Sequence, residues 1–203
     1  MLRFRGFLAA CCIIVFCNSS NAVTLKEVSN KLVLSGEIKS GDYEFVRKTI
    51  VSKNIRSVLL NSGGGDVKEA LKIATFFRET GVTTHLPKRS VCASACVLLF
   101  AGGVIRTADN GSKIGVHVGS GVLNETALEL FDEIYSKHGK EGFALIASFA
   151  EQNAARFTLE QTFFLLKSGV SLRLLEKTID VHHLEVLWLS QAEARDFNLI
   201  NSF

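Results

Sequence analysis

The chain has 203 residues, with 23 Lys and Arg against 20 Asp and Glu, a formal net charge of +3 and a single proline, Pro87. So slight an excess, with no basic stripe or cluster, excludes a nucleic-acid-binding surface as the source of function. No internal repeat, low-complexity tract or interdomain linker interrupts the chain.

The N-terminus accounts for much of the charge. Met1-Leu-Arg-Phe-Arg-Gly is basic and free of acids, Phe7 to Phe16 is apolar, and Cys17-Asn-Ser-Ser-Asn-Ala22 is short and polar. This order predicts a secretory signal peptide over residues 1–22, cut after Ala22, and a periplasmic mature protein. The apolar run falls short of the roughly 20 residues that a membrane-spanning helix needs, so membrane attachment would require the signal to stay uncleaved as an anchor. Leu8-Ala9-Ala10-Cys11 imitates a lipoprotein cleavage box, but the apolar run continues past Cys11 and leaves almost no hydrophobic segment before it. Cleavage removes Cys11, Cys12, Cys17, Arg3 and Arg5, which leaves Cys92 and Cys96 as the mature cysteines and lowers the charge from +3 to +1. Residues 23–203 suit one domain with a substantial core.

Lys31 to Ile38 reads as a strand and Gly41 to Ser52 as a helix with Phe45, Val46 and Ile50 apolar. Ile55-Arg-Ser-Val-Leu-Leu60 suits a buried strand, and it ends in Asn61-Ser-Gly-Gly-Gly65. Asp66 with Glu69 three residues on predicts a capping box. Val67, Ala70, Leu71, Ala74 and Phe77 keep the helical period, and Gly81 ends that helix. Val82 to Leu86 is the next strand. Ala93 to Phe100 reads as a buried helix, small at its start and apolar on every side. Arg106 to Val118 is extended, with a turn at Asn110-Gly111. From Asn124 to about Asp180 the pattern is helical throughout. Leu184 to Leu189 is a last strand, and Gln191 to Phe197 a short helix. Strands alternating with helices argue for an α/β fold with a largely parallel sheet, against which the helical second half packs.

Three segments carry chemistry. In Asn61-Ser-Gly-Gly-Gly65-Asp66 the glycines allow positive φ and close backbone approach, and free N–H groups at such a turn can bind a developing oxyanion. No Gly-Lys-Ser/Thr follows, so it is not a Walker loop; taken alone it is equally a tight strand-to-helix turn. In Ser90-Val-Cys-Ala-Ser-Ala-Cys96, Ser94 has small neighbours that leave room for an acyl group, at the head of an apolar helix whose dipole favours negative charge. Taken alone, a small serine at a crowded helix end explains it as well. In Lys113-Ile-Gly-Val-His-Val-Gly119, His117 sits in an apolar, glycine-flanked segment, where a structural histidine is the commoner case. His85, His138, His182 and His183 lack such a setting.

The order and spacing join them: Gly65 precedes Ser94 by 29 residues, and His117 follows it by 23. Here the chain resembles the Clp-type serine peptidases and their relatives in the ClpP/crotonase superfamily, and looks closest to an exported Clp-like branch. The matching pieces are Asn61-Ser-Gly-Gly-Gly65, Cys92-Ala-Ser-Ala-Cys96, Gly115-Val-His117, and Leu189-Ser-Gln-Ala-Glu-Ala194 leading to Asn198-Leu-Ile200. The resemblance runs from about Lys31 to the C-terminus. It implies a spiral of β-β-α units with a helical second half, Ser94 as nucleophile, His117 as base, and an oxyanion hole from Gly64 or Gly65 and the N–H of Ala95. It further implies a peptide or protein substrate, a homo-oligomer, and no cofactor or metal.

Two positions depart from the family pattern. Gly63 replaces its proline. The triad acid would fall at Val186; Glu185 is adjacent and Asp180 six residues earlier, so either is a candidate third member, unless a backbone carbonyl orients His117 instead. Glu185 would need a register shift or bulge to reach, because strand neighbours point to opposite faces. Cys92 and Cys96 are a candidate disulfide in an oxidising compartment, or two buried thiols. Three functions remain open: a serine hydrolase, a non-catalytic binding or assembly protein on the same fold, and a crotonase-type thioester enzyme.

Overall fold

The computed structural model describes residues 23–28, 30–118, 125–182 and 184–202. The expected signal peptide, His183 and the glycine at 119 lie outside the described residues.

The first sheet is built by repeated strand–helix crossovers. β1 (Val23–Val28) and β2 (Lys31–Gly36) form an antiparallel pair. α1 (Asp42–Lys53), β3 (Ser57–Asn61), α2 (Val67–Thr80) and β4 (Thr83–Leu86) follow. β3 and β4 add parallel to β2 in turn. Beyond them β5 (Val91–Ala93), α3 (Cys96–Gly102), β6 (Arg106–Ala108) and β7 (Lys113–Val116) form the centre of the chain. α4 (Glu125–Lys167), α5 (Arg173–Ile179), β8 (Leu187–Leu189) and α6 (Gln191–Asp196) complete it. The strand order is β1-β2-β3-β4-β6 in one sheet and β5-β7-β8 in a second. The expected parallel sheet is therefore split in two, with an antiparallel strand closing one edge of each.

The core lies between α2, α3 and the strands. Leu34, Val58, Leu60, Ala70, Ile73, Phe77, Leu99 and Phe100 are all fully buried, and burying a Leu, Ile or Phe side chain contributes about 1.5–3 kcal/mol. α2 and α3 approach closely at Gly102, where an added Cβ would stand 2.5 Å from the Ala74 carbonyl oxygen.

Three local expectations are revised. Asp66 does cap α2, accepting from the Glu69 N–H at 2.9 Å. Glu69, however, does not return the bond. Its buried carboxylate accepts from the N–H groups of Gly41 (3.0 Å) and Tyr43 (2.8 Å), and so caps α1 instead. Burial alone would raise its pKa; the bonds from Tyr43, Lys72 and Gly41 outweigh that and hold it lowered. The helical stretch before Asp180 is interrupted: Gly139 breaks α4 with φ 56° and ψ −130°, and residues 168–172 separate α4 from α5. Finally, the helix expected from Ala93 begins only at Cys96, because Val91 to Ala93 pair with Lys113 to Gly115 as a strand.

The buried guanidinium of Arg106 ties the C-terminal segment to this core. It donates to the carbonyls of Leu199 (2.9 Å), Gly103 (2.9 Å) and Asn198 (2.7 Å). Burial, with a smaller contribution from Arg78, lowers its pKa to about 10.

Candidate active site

Ser94 stands where β5 turns into α3. It is not helical: its φ is 55°, in the left-handed region that L-residues with a Cβ rarely adopt. Two contacts set the turn. The Ser94 N–H donates to Gly115 O on β7 at 2.9 Å, and Val97 N–H donates back to Ser94 O at 2.9 Å. β5 is also fastened to the end of the first sheet, because Ser62 N–H donates to Val91 O (2.8 Å) and Ala93 N–H to Ser62 O (3.1 Å).

That fastening brings the glycine loop against the serine. Gly64, at φ 109°, lies so close that an added Cβ would be 2.7 Å from Ser94 Cβ and 3.1 Å from the Ala95 nitrogen. Gly65, at φ 132°, lies against Ile38 in a parallel bridge, with an added Cβ only 2.2 Å from the Ile38 carbonyl oxygen. Ile38 N–H donates to Gly64 O (2.8 Å) and Asp66 N–H to Ile38 O (2.7 Å), so the N–H of Gly65 is not spent on that bridge. The two glycines differ in what they offer. The N–H of Gly64 donates to Ser62 Oγ at 3.1 Å. Among the described residues, the N–H groups of Gly65 and Ala95 have no acceptor.

His117 follows directly on β7, and its half-buried ring lines the same cleft as Ser94 and Ala95. Nδ1 lies 2.8 Å from the carbonyl oxygen of Val118. A carbonyl only accepts, so Nδ1 carries the hydrogen and the neutral ring keeps its lone pair on Nε2. That tautomer suits a base acting through Nε2. No carboxylate among the described residues accepts from this ring. Asp180 and Glu185 are exposed and do not line the cleft. Val186 lies beside β7, its Cγ1 2.5 Å from where a Cβ on Gly115 would stand. The segment around them still touches the site, since Val118 N–H donates to Val181 O at 3.0 Å.

Part of the cleft lining comes from the second half of the chain. Gln161 and Leu165 of α4, and Leu174 and Thr178 of α5, line it together with Ser94 and His117. None of these four stands out in the sequence, where they are ordinary members of a helical pattern. Cys92 and Cys96 are joined by a disulfide with a Cα–Cα distance of 5.2 Å, both fully buried. No cluster of three or more metal-ligating side chains occurs among the described residues.

No protein-family model matches the chain, and no curated protein matches it. Solved structures do. A point variant of ClpP1 from Listeria monocytogenes is similar with a TM-score of 0.60 at 18% identity, over 85% of this chain and 89% of that one. ClpP1 from the same organism gives 0.53 at 20% identity over the same shares. A serine-to-alanine variant of the 1510-N membrane-bound stomatin-specific protease gives 0.52 at 16% identity, over 83% of this chain and 75% of that one. At these identities the likeness is one of architecture, and on it the chain has the ClpP-like α/β fold.

Proposed function

We propose that the chain is an exported serine hydrolase of the peptidase class, acting on peptide or protein substrates in the periplasm. The observation that carries this reading is the pairing in one cleft of a serine in a left-handed turn with a histidine whose Nδ1–H is held by a carbonyl. In the proposed reaction Ser94 Oγ attacks the substrate carbonyl while His117 Nε2 takes its proton. The N–H groups of Gly65 and Ala95 hold the oxyanion. His117 then returns the proton to the leaving amine, and water releases the acyl group by the same route in reverse.

The Val118 carbonyl supplies part of what a triad acid supplies. It selects the tautomer and orients the ring, but it is neutral and stabilises the imidazolium less than a carboxylate does. A slow hydrolase is therefore expected. That no carboxylate among the described residues accepts from His117 is also what favours the second reading, a non-catalytic binding or assembly protein on the same fold. Self-association is supported by α4, on which Phe143, Leu145, Phe149 and Phe163 are each more than half exposed.

A fluorophosphonate probe separates the two readings. Labelling of the purified protein that is lost in Ser94→Ala and at least a hundredfold slower in His117→Ala supports the hydrolase. A parent that never labels favours the binding protein. N-terminal sequencing of the exported protein should begin at Val23; a full-length cytosolic product would overturn the assignment to the periplasm.

A further inference from the structure

The Ser94 turn is short and closed at both ends. Cys92 is the middle residue of β5, its backbone paired with Ile114 of β7, and Cys96 is the first residue of α3. The disulfide between them encloses only Ala93, Ser94 and Ala95. An L-residue at φ 55° persists only where its surroundings over-determine it. The local sequence pulls the other way. Ala93 and Ala95 are strong helix formers, and the buried apolar run beyond them is helical, so local propensity favours extending α3 backwards through Ser94, against the strand pairing of Val91 to Ala93. Among the described residues, the non-covalent restraints on Ser94 itself are two backbone bonds, to Gly115 O and from Val97 N, together with the bare face of Gly64.

We propose that the Cys92–Cys96 disulfide is a positioning element for the nucleophile. It holds Ser94 in the left-handed turn that faces the His117 cleft, by anchoring the start of α3 to β5 and so denying the helix its backward extension. The inference rests on the reading of Ser94 as nucleophile. It also ties activity to an oxidising compartment. A dithiol that reduces the bond passes two electrons and two protons to it, leaving Cys92 and Cys96 as thiols and becoming a disulfide itself; the turn then loses its tether.

The test compares the oxidised parent, the reduced parent and the double variant Cys92→Ala/Cys96→Ala. Three quantities are read: fluorophosphonate labelling rate, far-UV circular dichroism, and hydrogen exchange over residues 91–98. The reduced parent and the variant should keep the fold yet label about ten- to a hundredfold more slowly, as a misplaced nucleophile does. Their Ser94 amide should lose protection as its bond to Gly115 opens. Reoxidation should restore the rate of the parent and not that of the variant. Labelling at the parent rate after reduction overturns the proposal. So does a reduced parent that unfolds, since the disulfide would then hold the whole fold. Should the double variant alone fail to fold, the reduced parent, differing only by two hydrogens, carries the comparison. An oxidised parent that does not label sinks the hydrolase reading; exchange then decides the tether by itself, with unchanged protection at Ser94 counting against it.

Discussion

Gly64→Ala tests the packing of the glycine loop on the Ser94 turn. The new methyl group would meet Ser94 Cβ at 2.7 Å, Ala93 O at 2.9 Å and Ala95 N at 3.1 Å. All three atoms belong to the turn, so relief requires the turn to move. Gly64 also has φ 109°, a conformation alanine adopts only under strain. Backbone strain costs about 1–3 kcal/mol and overpacking about 1–3 kcal/mol, so the variant should lose about 2–6 kcal/mol. That is a large part of the 5–15 kcal/mol typical of a whole domain, so denaturant titration should show a clearly lowered midpoint. Fluorophosphonate labelling, measured where the variant is still folded, should fall by about a hundredfold, because Ser94 and the Ala95 N–H are displaced together. Gly63→Ala is the control: nothing lies within 4 Å of its added Cβ, and it should change neither quantity. If Gly64→Ala stays within about 0.5 kcal/mol of the parent and labels at the parent rate, the close packing of loop on turn is refuted.

Glu185→Gln and Asp180→Asn should each change the labelling rate by less than about threefold, because neither carboxylate accepts from His117; a loss of several orders of magnitude in either would identify a missing triad acid. Arg106→Ala should destabilise by about 3–5 kcal/mol, since three carbonyls lose charged donors at roughly 1.5–3 kcal/mol each, offset in part by relief of the buried charge. The loss should appear first as faster hydrogen exchange over residues 198–202, and unchanged exchange there would contradict the tie. Glu193 accepts from Lys177 and from the Ser190 N–H and hydroxyl, which lowers its pKa from 4.5 to about 2. A carboxylate depressed on folding stabilises above its unfolded pKa, so this contribution should be complete above about pH 4.5 and vanish as the pH falls towards 2. Glu193→Gln should flatten the thermal stability profile in that window, and an unaltered profile would show that the cap does not titrate there.

How far sequence alone reaches depends on the range of the forces involved. α2 is legible from its residues: Asp66 caps it, Ala70, Ala74 and Phe77 face the core, and Gly81 ends it at φ 73°. Those signals act within one or two turns of chain. The strand of residues 23–28 gives no such signal, because among its six residues only Val23 is buried and its pairing with β2 comes from backbone bonds. Glu69 has the spacing of a capping box, yet its carboxylate goes to Gly41 and Tyr43, partners 28 and 26 residues away that no local pattern encodes. The same holds at the site. In the sequence, Ser94, His117 and the glycine loop are joined by order, spacing and family resemblance, none of which tells Gly64 from Gly65. Their difference arises because Ser62 Oγ takes one N–H while the Ile38 bridge leaves the other unused. Residue chemistry and local periodicity determine which groups are available. The left-handed turn at Ser94 and the cleft lining from α4 and α5 exist only once distant segments have packed, because each depends on a partner that the chain brings near only on folding, whereas the carbonyl on His117 belongs to the next residue, Val118.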